Sequence, residues 1–263
     1  MSTTAKIMKY ELHDVVRSRW LIGYTLFFLL LADALLRFSD TGVKALLSLL
    51  NVVLFVVPLV SIVFGTMYLY NAREFTELLL AQPVSRRQMF AGLYLGLVLP
   101  LVAAFLVGMG LPFVYLGMDE TVRYATLFAL LGTGAALTAV FLAVSLLIAV
   151  RTEDKVKGLG LAIALWLLTA VVYDGLVLLL ATTFADYPLE QPLLGLMLLN
   201  PVDLARVLLL LRFDISALMG YTGAVFQQFF GGSTGTLVAV AVLTLWLLVP
   251  LYLGLRRFRR KDF

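Results

Sequence analysis

The chain has no cysteine and a single histidine, His13, in 263 residues. Without thiols it can form no disulfide, no redox pair and no thiolate metal centre. One imidazole gives no H-E-x-x-H pair and no Ser/His/Asp set, and no carboxylates pair at helical spacing inside an apolar stretch. The methionines Met67, Met109, Met118, Met197 and Met219 are scattered, unlike the clustered thioethers of a copper-binding array. No G-x-x-x-x-G-K-[ST] sequence occurs, so this chain carries no phosphate cradle of that kind. These absences argue against an enzyme, and no metal or cofactor is expected on the chain itself. Charge is scarce too: 14% of residues, against about 25% in soluble domains.

What is present is apolar length. Hydrophobic residues make up 62% of the chain and concentrate in six stretches, 20–38, 43–70, 91–116, 124–150, 158–181 and 236–255. Each reaches the roughly 18–20 residues that a helix needs to cross a hydrocarbon core of about 30 Å. Basic charge is sorted between them. Of 20 Lys and Arg, only Arg37, Lys44, Arg123, Arg206 and Arg212 lie outside the two ends and the second and fourth connections. The positive-inside rule then places both termini in the cytoplasm. The same bias accounts for the net charge of +4, so nucleic acid is not an expected partner. The expected fold is an all-α membrane protein, one transmembrane domain over 1–263 in a lipid bilayer.

Three segments between the spans carry sequence of their own. Residues 6–19 put Met8, Leu12, Val15 and Val16 on one helical face, which suits an interfacial helix in the cytoplasmic headgroup layer. Between the second and third spans, Phe75, Leu78 and Leu79 recur at helical spacing among Arg73, Glu74 and Glu77. That predicts a short amphipathic helix over about 72–82, ended by Pro83, with Ser85 and Gln88 capping the next span. An apolar face offered to the cytoplasm needs a protein or lipid cover. The outer segment 182–235 contains an apolar run, 193–212, broken at Asn200-Pro201. Asn200 as N-cap, Pro201 at the first helical position and Asp203 in the first turn start a helix too short to span. A pair of outer half-helices fits better than a seventh crossing, which would carry the C-terminal arginines to the wrong side. Gln227, Gln228 and residues 231–235 are expected as a loop before the last span, and 117–123 as an outer turn.

Two acids lie inside spans, where ionisable groups are costly. Asp33 has Arg37 one helical turn on and reads as an interfacial pair. Asp174 has no basic residue one turn away and is expected either to face a polar cavity or to reach the outer surface. Gly92 with Gly96, and Gly132 with Gly134, mark faces where helices can pack closely.

The stretch Arg73-Glu74-Phe75-Thr76-Glu77-Leu78-Leu79-Leu80, followed by Gln82-Pro83-Val84-Ser85-Arg86, carries an acidic pair, a leucine run and P-x-S-R. Together with the order of elements, it resembles the coupling helix of the ABC-2-type permeases, the membrane subunits of type V ABC transporters. Residues 9–20 and the outer Asn200, Pro201, Asp203 and Arg206 are most similar to the branch that serves maturation of nitrous oxide reductase. The resemblance implies a bacterial inner-membrane homodimer working with two copies of a cytoplasmic ATPase, which would hold ATP and Mg. It also implies a periplasmic β-helical partner and a role in copper-site maturation. Arg73, Glu74, Phe75, Glu77, Leu78 and Leu79 would meet the ATPase; Asn200, Pro201, Asp203 and Arg206 would meet the periplasmic partner. The alternatives are an ABC-2 exporter of a lipid, peptide or drug, and an ATPase-independent carrier or scaffold.

Overall fold

The computed structural model describes residues 3–39, 41–80, 84–116, 124–184, 190–212 and 233–260. Among these residues every regular element is helical. Helix α1 is Thr3–Val16, α2 Arg19–Phe38, α3 Gly42–Asn71, α4 Arg73–Leu80, α5 Arg86–Tyr115 and α6 Tyr124–Arg151. Then α7, Lys155–Leu167, passes through a π-helical turn, Leu168–Val172, into α8, Tyr173–Thr183. After α9, Glu190–Leu198, and α10, Pro201–Arg212, the last described helix is α11, Ser233–Arg260. Six helical stretches are long and apolar enough to cross a membrane: α2, α3, α5, α6, the run from α7 to α8, and α11. They match the six expected spans; α5 starts at Arg86, five residues sooner. Residues 81–83, with Pro83, and the expected turn 117–123 lie outside the described residues, as do Gln227 and Gln228. Residues 233–235, expected as loop, instead form the first turn of α11.

Short polar residues set the helix starts. Ser18, Ser85 and Asp154 each accept a backbone N–H from their own helix's first turn. Pro58, Pro100, Pro112 and Pro250 sit inside α3, α5, α5 and α11, positions that membrane helices tolerate.

The spans divide into an inner and an outer set. Half or more of the apolar window is buried in α3, α5 and α6, but only 17% in each of the other three. The inner three meet around Phe28, Phe105, Phe113 and Phe141, with Phe28 and Phe105 edge to face at 5.2 Å. Close approach depends on a few glycines. A Cβ on Gly134 would run into the Phe105 ring, and one on Gly108 would stand 2.6 Å from the Thr25 carbonyl oxygen.

Gly92 and Gly96 serve α1. A Cβ on Gly92 would meet Ile7, and one on Gly96 would collide with the Glu11 side chain. Ile7 on Gly92 and Glu11 on Gly96 advance together, so over this turn α1 tracks α5 in the same direction. The buried face of α1 is therefore Ile7, Glu11 and Val15. The expected apolar face is turned partly outward, with Val16 exposed, because the glycine seat on α5 admits an acidic side chain that a count of apolar residues leaves outside.

Gly96→Ala is expected to lower stability by about 1–3 kcal/mol, because the new methyl must displace Glu11 next to its own backbone. Gly132→Ala, which meets nothing within 4 Å, should be neutral or gain up to about 1 kcal/mol in helix propensity. Thermal unfolding of the two variants in one detergent checks the contrast.

Candidate functional site

The densest polar cluster joins α10 to the span made by α7 and α8. Helices α9 and α10 meet at 110°, so the chain turns sharply at Leu199 and Asn200. Asn200 caps α10: its Oδ1 accepts the Val202 N–H at 3.0 Å. Its Nδ2 donates to the Thr169 carbonyl at 2.7 Å and to Asp203 Oδ2 at 3.0 Å. Thr169 belongs to the π turn, where the widened ladder gives a neighbouring donor access to the backbone. One turn along α10, Arg206 Nη1 donates to Asp203 Oδ1 at 3.0 Å and to Asp174 Oδ2 at 2.6 Å. The end of α9 is closed by two spans at once: the Tyr173 hydroxyl donates to the Leu196 carbonyl at 2.6 Å, and Trp246 Nε1 to that of Leu198 at 3.4 Å. The Leu196 carbonyl also accepts the Leu199 N–H at 3.0 Å, so Tyr173 adds a second donor there, and Trp246 reaches a carbonyl of the last turn, which an α-helix leaves without an i+4 donor.

Asp174 thus has its counter-ion after all, on a helix 32 residues away. No spacing rule finds such a pair; only the docking of α10 makes it. Asn200 and Asp203 are 1% and 3% exposed, and Pro201 is also buried. All three face into the chain's own fold, and the residue exposed at this corner is Leu199. Arg206 also borders an open cleft of about 350 Å³ with Asn51, Phe55 and Ala170. Asp33 pairs with Arg37 at 2.9 Å, as its spacing predicts, and accepts a further bond from the Tyr115 hydroxyl at 2.7 Å. The two intramembrane acids are therefore unlike: Asp33 holds the ends of α2 and α5 together, and Asp174 anchors α10. Among the described residues no three His, Cys, Asp or Glu side chains converge as metal ligands would.

At the opposite end, which bears most of the chain's basic residues, the surface element is α4. Arg73 and Glu77 form an i,i+4 pair at 3.0 Å, and Glu74 is exposed. The apolar trio is not presented as one face. Leu78 is 70% exposed, Phe75 is stacked on Tyr10 of α1 at 4.8 Å, and Leu79 packs toward the cluster around Met89 and Leu93. The outward feature of α4 is one leucine between charges; the other two hold the helix to the bundle.

Tyrosines at the end of α3 connect this corner further. The Tyr68 hydroxyl lies 2.5 Å from Glu11 Oε2 and 2.9 Å from Asp14 Oδ2. The Tyr70 hydroxyl meets the Thr152 hydroxyl at 2.5 Å, and Lys155 Nζ donates to Asn71 Oδ1 at 2.9 Å. Gly158 leaves the space that the Tyr70 ring fills. The sequence reading missed Tyr68 and Tyr70, since aromatic residues at a membrane boundary are common and carry no partner signal. Burial pushes the Glu11 carboxyl above its ordinary value, the Tyr68 bond opposes this, and Asp14 adds to it.

A family model described as ABC-2 family transporter protein matches residues 5–263. A probable ABC transporter permease protein NosY of Pseudomonas aeruginosa is 30% identical over 265 residues, covering 94% of this chain and 92% of the relative. The probable ABC transporter permease protein NosY of Stutzerimonas stutzeri is 29% identical over 280 residues, covering 99% of both chains.

Three outcomes follow from the clusters. Arg206→Ala strands the Asp203 carboxylate in a buried site and should destabilise the protein by about 3–5 kcal/mol; adding Asp203→Asn should restore part of that. Asp33→Asn keeps an amide oxygen for the Tyr115 hydroxyl and loses only an exposed ion pair, so it should cost no more than about 1 kcal/mol, which the same melting series would show. For Glu11, the raised folded-state value means that its contribution to stability is complete below its ordinary pKa and is lost as pH rises through the folded value. The unfolding midpoint of the wild type is therefore expected to fall from pH 5 to 8 relative to Glu11→Gln; parallel pH profiles would show that Glu11 does not titrate this docking.

Proposed function

The chain belongs to the ABC-2 family of transporter proteins, the membrane permease subunits of ABC transporters, and on that premise we propose that α4 couples it to a separate cytoplasmic ATPase. In this reading the basic end faces the cytoplasm. Leu78 enters a groove on the ATPase, Glu74 lies at the rim, and the Arg73–Glu77 pair stiffens the helix. The observation that carries the proposal is the stacking of Phe75 on Tyr10. It lets a push on α4 move α1, which is seated on the α5 glycines and bonded to α3 through Tyr68. A rigid short helix clamped to three elements transmits displacement better than a free loop.

The stroke continues along α3 to α7 and α8. Tyr70 and Asn71 hold the start of α7, and Trp166 Nε1 donates to the Phe55 carbonyl at 3.0 Å midway. Asn200 and Arg206 then pass motion of α7 and α8 to α9 and α10. At the periplasmic face this pair engages a β-helical partner through its exposed corner at Leu199, while Asn200, Pro201, Asp203 and Arg206 hold the corner in shape. Two copies of the chain with two ATPase copies, in a bacterial inner membrane, complete the assembly. Its task is copper-site maturation of nitrous oxide reductase; the near full-length similarity to permeases named NosY supports this. ATP and Mg belong to the ATPase.

Leu78→Asp removes an apolar anchor worth about 1.5–3 kcal/mol, so ATPase affinity should fall roughly ten- to a hundredfold. Pull-down of the ATPase with the permease, together with reductase activity in the same cells, reads both links. Normal capture and normal maturation would remove α4 from the coupling role. ATP hydrolysis stimulated by a lipid, peptide or drug, with no periplasmic protein captured, would instead indicate an exporter.

A further inference from the structure

We infer that Glu11 is a proton-binding site: its carboxyl is un-ionised while α1 lies on α5, donates to the Tyr68 oxygen, and frees α1 from its seat on losing that proton. The Tyr68 oxygen lies 2.5 Å from Glu11 Oε2 and 2.9 Å from Asp14 Oδ2, both hydrogen-bond distances. A phenol has one hydrogen, and an ionised carboxylate has none to donate. With both acids ionised, that hydrogen serves one contact well, and the other sets an oxygen lone pair against a charged oxygen. One further proton gives each contact its own hydrogen. Glu11 Oε2 then donates to Tyr68 and Tyr68 donates to Asp14, and each bond polarises the next.

The surroundings place that proton on Glu11 and not on Asp14. Glu11 is 1% exposed, whereas Asp14 is exposed to water that can solvate a charge. Ile7 and Val15, one turn to either side of Glu11, join an apolar cluster with Leu93 and Leu97 of α5. Among the described residues Glu11 Oε1 has no hydrogen-bond partner, which costs far less for a neutral carbonyl oxygen than for a carboxylate. No basic group compensates. On α1 the neighbouring charge is that of Asp14, which opposes ionisation, and Lys9 and His13 are exposed. On α3 the facing group is Tyr68. On α5 the seat is Gly96, and the Tyr94 hydroxyl is engaged with the Ala139 carbonyl at 3.0 Å. Arg86 and Arg87 begin α5 nine or more residues before Gly96, about 13 Å or more along its axis. On α4, Arg73 pairs with Glu77, and Arg19 at the start of α2 is exposed. Loss of the proton therefore leaves two carboxylates competing for one phenol, one of them buried. Lifting α1 off Gly96 rehydrates Glu11, and α1 carries Tyr10, the ring stacked on Phe75. The inference concerns α1 alone and stands whether or not α4 meets an ATPase.

The test is infrared difference spectroscopy of the full chain in a neutral detergent, reading the carbonyl stretch of un-ionised carboxyl groups. At pH 6 an ordinary glutamate is almost fully ionised, yet wild type minus Glu11→Gln should show one carboxylic acid band. Tyr68→Phe, which keeps the ring and removes the acceptor, should move that band. Asp14→Asn changes an exposed residue and should lower the pH at which the band disappears by up to about one unit, since a like charge is gone. Amide hydrogen exchange of residues 3–16, compared with Glu11→Gln at each pH, reads the seat itself. Protection should be equal at pH 5, and at pH 8 the wild type should exchange roughly tenfold or more faster. Absence of the difference band at pH 6 means that Glu11 is ionised in place and overturns the proposal. A band that Tyr68→Phe does not move, or that persists to the same pH in Asp14→Asn, overturns the hydrogen-bond chain. Exchange that runs parallel in the two proteins from pH 5 to 8 overturns the release of α1. The Asp14→Asn comparison leaves Glu11 in place, so it decides even where Glu11→Gln fails to fold.

Discussion

A bilayer core offers no hydrogen bonds, so every backbone group exposed by an irregularity there must find a partner in the chain itself. Among the described residues, two irregularities of the helical ladder meet at one place. The π turn in the fifth span and the 110° break between α9 and α10 both expose carbonyls. Asn200 and Trp246 donate to those of Thr169 and Leu198, and Tyr173 adds a bond to that of Leu196, which the Leu199 N–H already meets. Each irregularity is stabilised by the other, and the α9–α10 corner can sit against the bundle only because the π turn provides a seat for it.

The two ends of the bundle are built on different physics. At the α10 end, one guanidinium serves two carboxylates, and buried Asp203 also accepts the Asn200 amide. Partners of that kind fix geometry because any one left alone is costly. At the basic end the ties are tyrosine hydroxyls, a stacked ring pair and an exposed salt bridge, each individually modest. The α4 corner is therefore held by several modest contacts acting together, whereas the α10 corner rests on a few partners none of which is lost cheaply.

Much of this was legible in the sequence, because length, hydropathy and basic-charge sorting are properties of single segments. The six spans follow from apolar length, α4 from the spacing of Phe75, Leu78 and Leu79, and the start of α10 from Asn200-Pro201. What escaped were facts that exist only between segments. The Asp174–Arg206 pair needs α10 docked on α8. The buried position of Glu11 needs a glycine seat on another helix. The π turn carries no residue signature in L-T-A-V-V, and periodicity cannot tell that Phe75 and Leu79 face the bundle while Leu78 does not. The family resemblance implied that Asn200 and Asp203 meet a periplasmic partner; both are buried and bonded to residues of their own chain.

The π turn has a further consequence for phase. A helix advances about 100° per residue, and a π turn accommodates one residue more than an α-helical ladder would. Everything in the fifth span beyond Leu168 is therefore out of step with the helix that precedes it, and Asp174 faces Arg206 because of that offset. If the ladder relaxed to regular α-helix, the rest of the span would rotate by about a residue's worth and carry the carboxylate off its partner. A single π turn thus sets the rotational phase in which Asp174 meets Arg206.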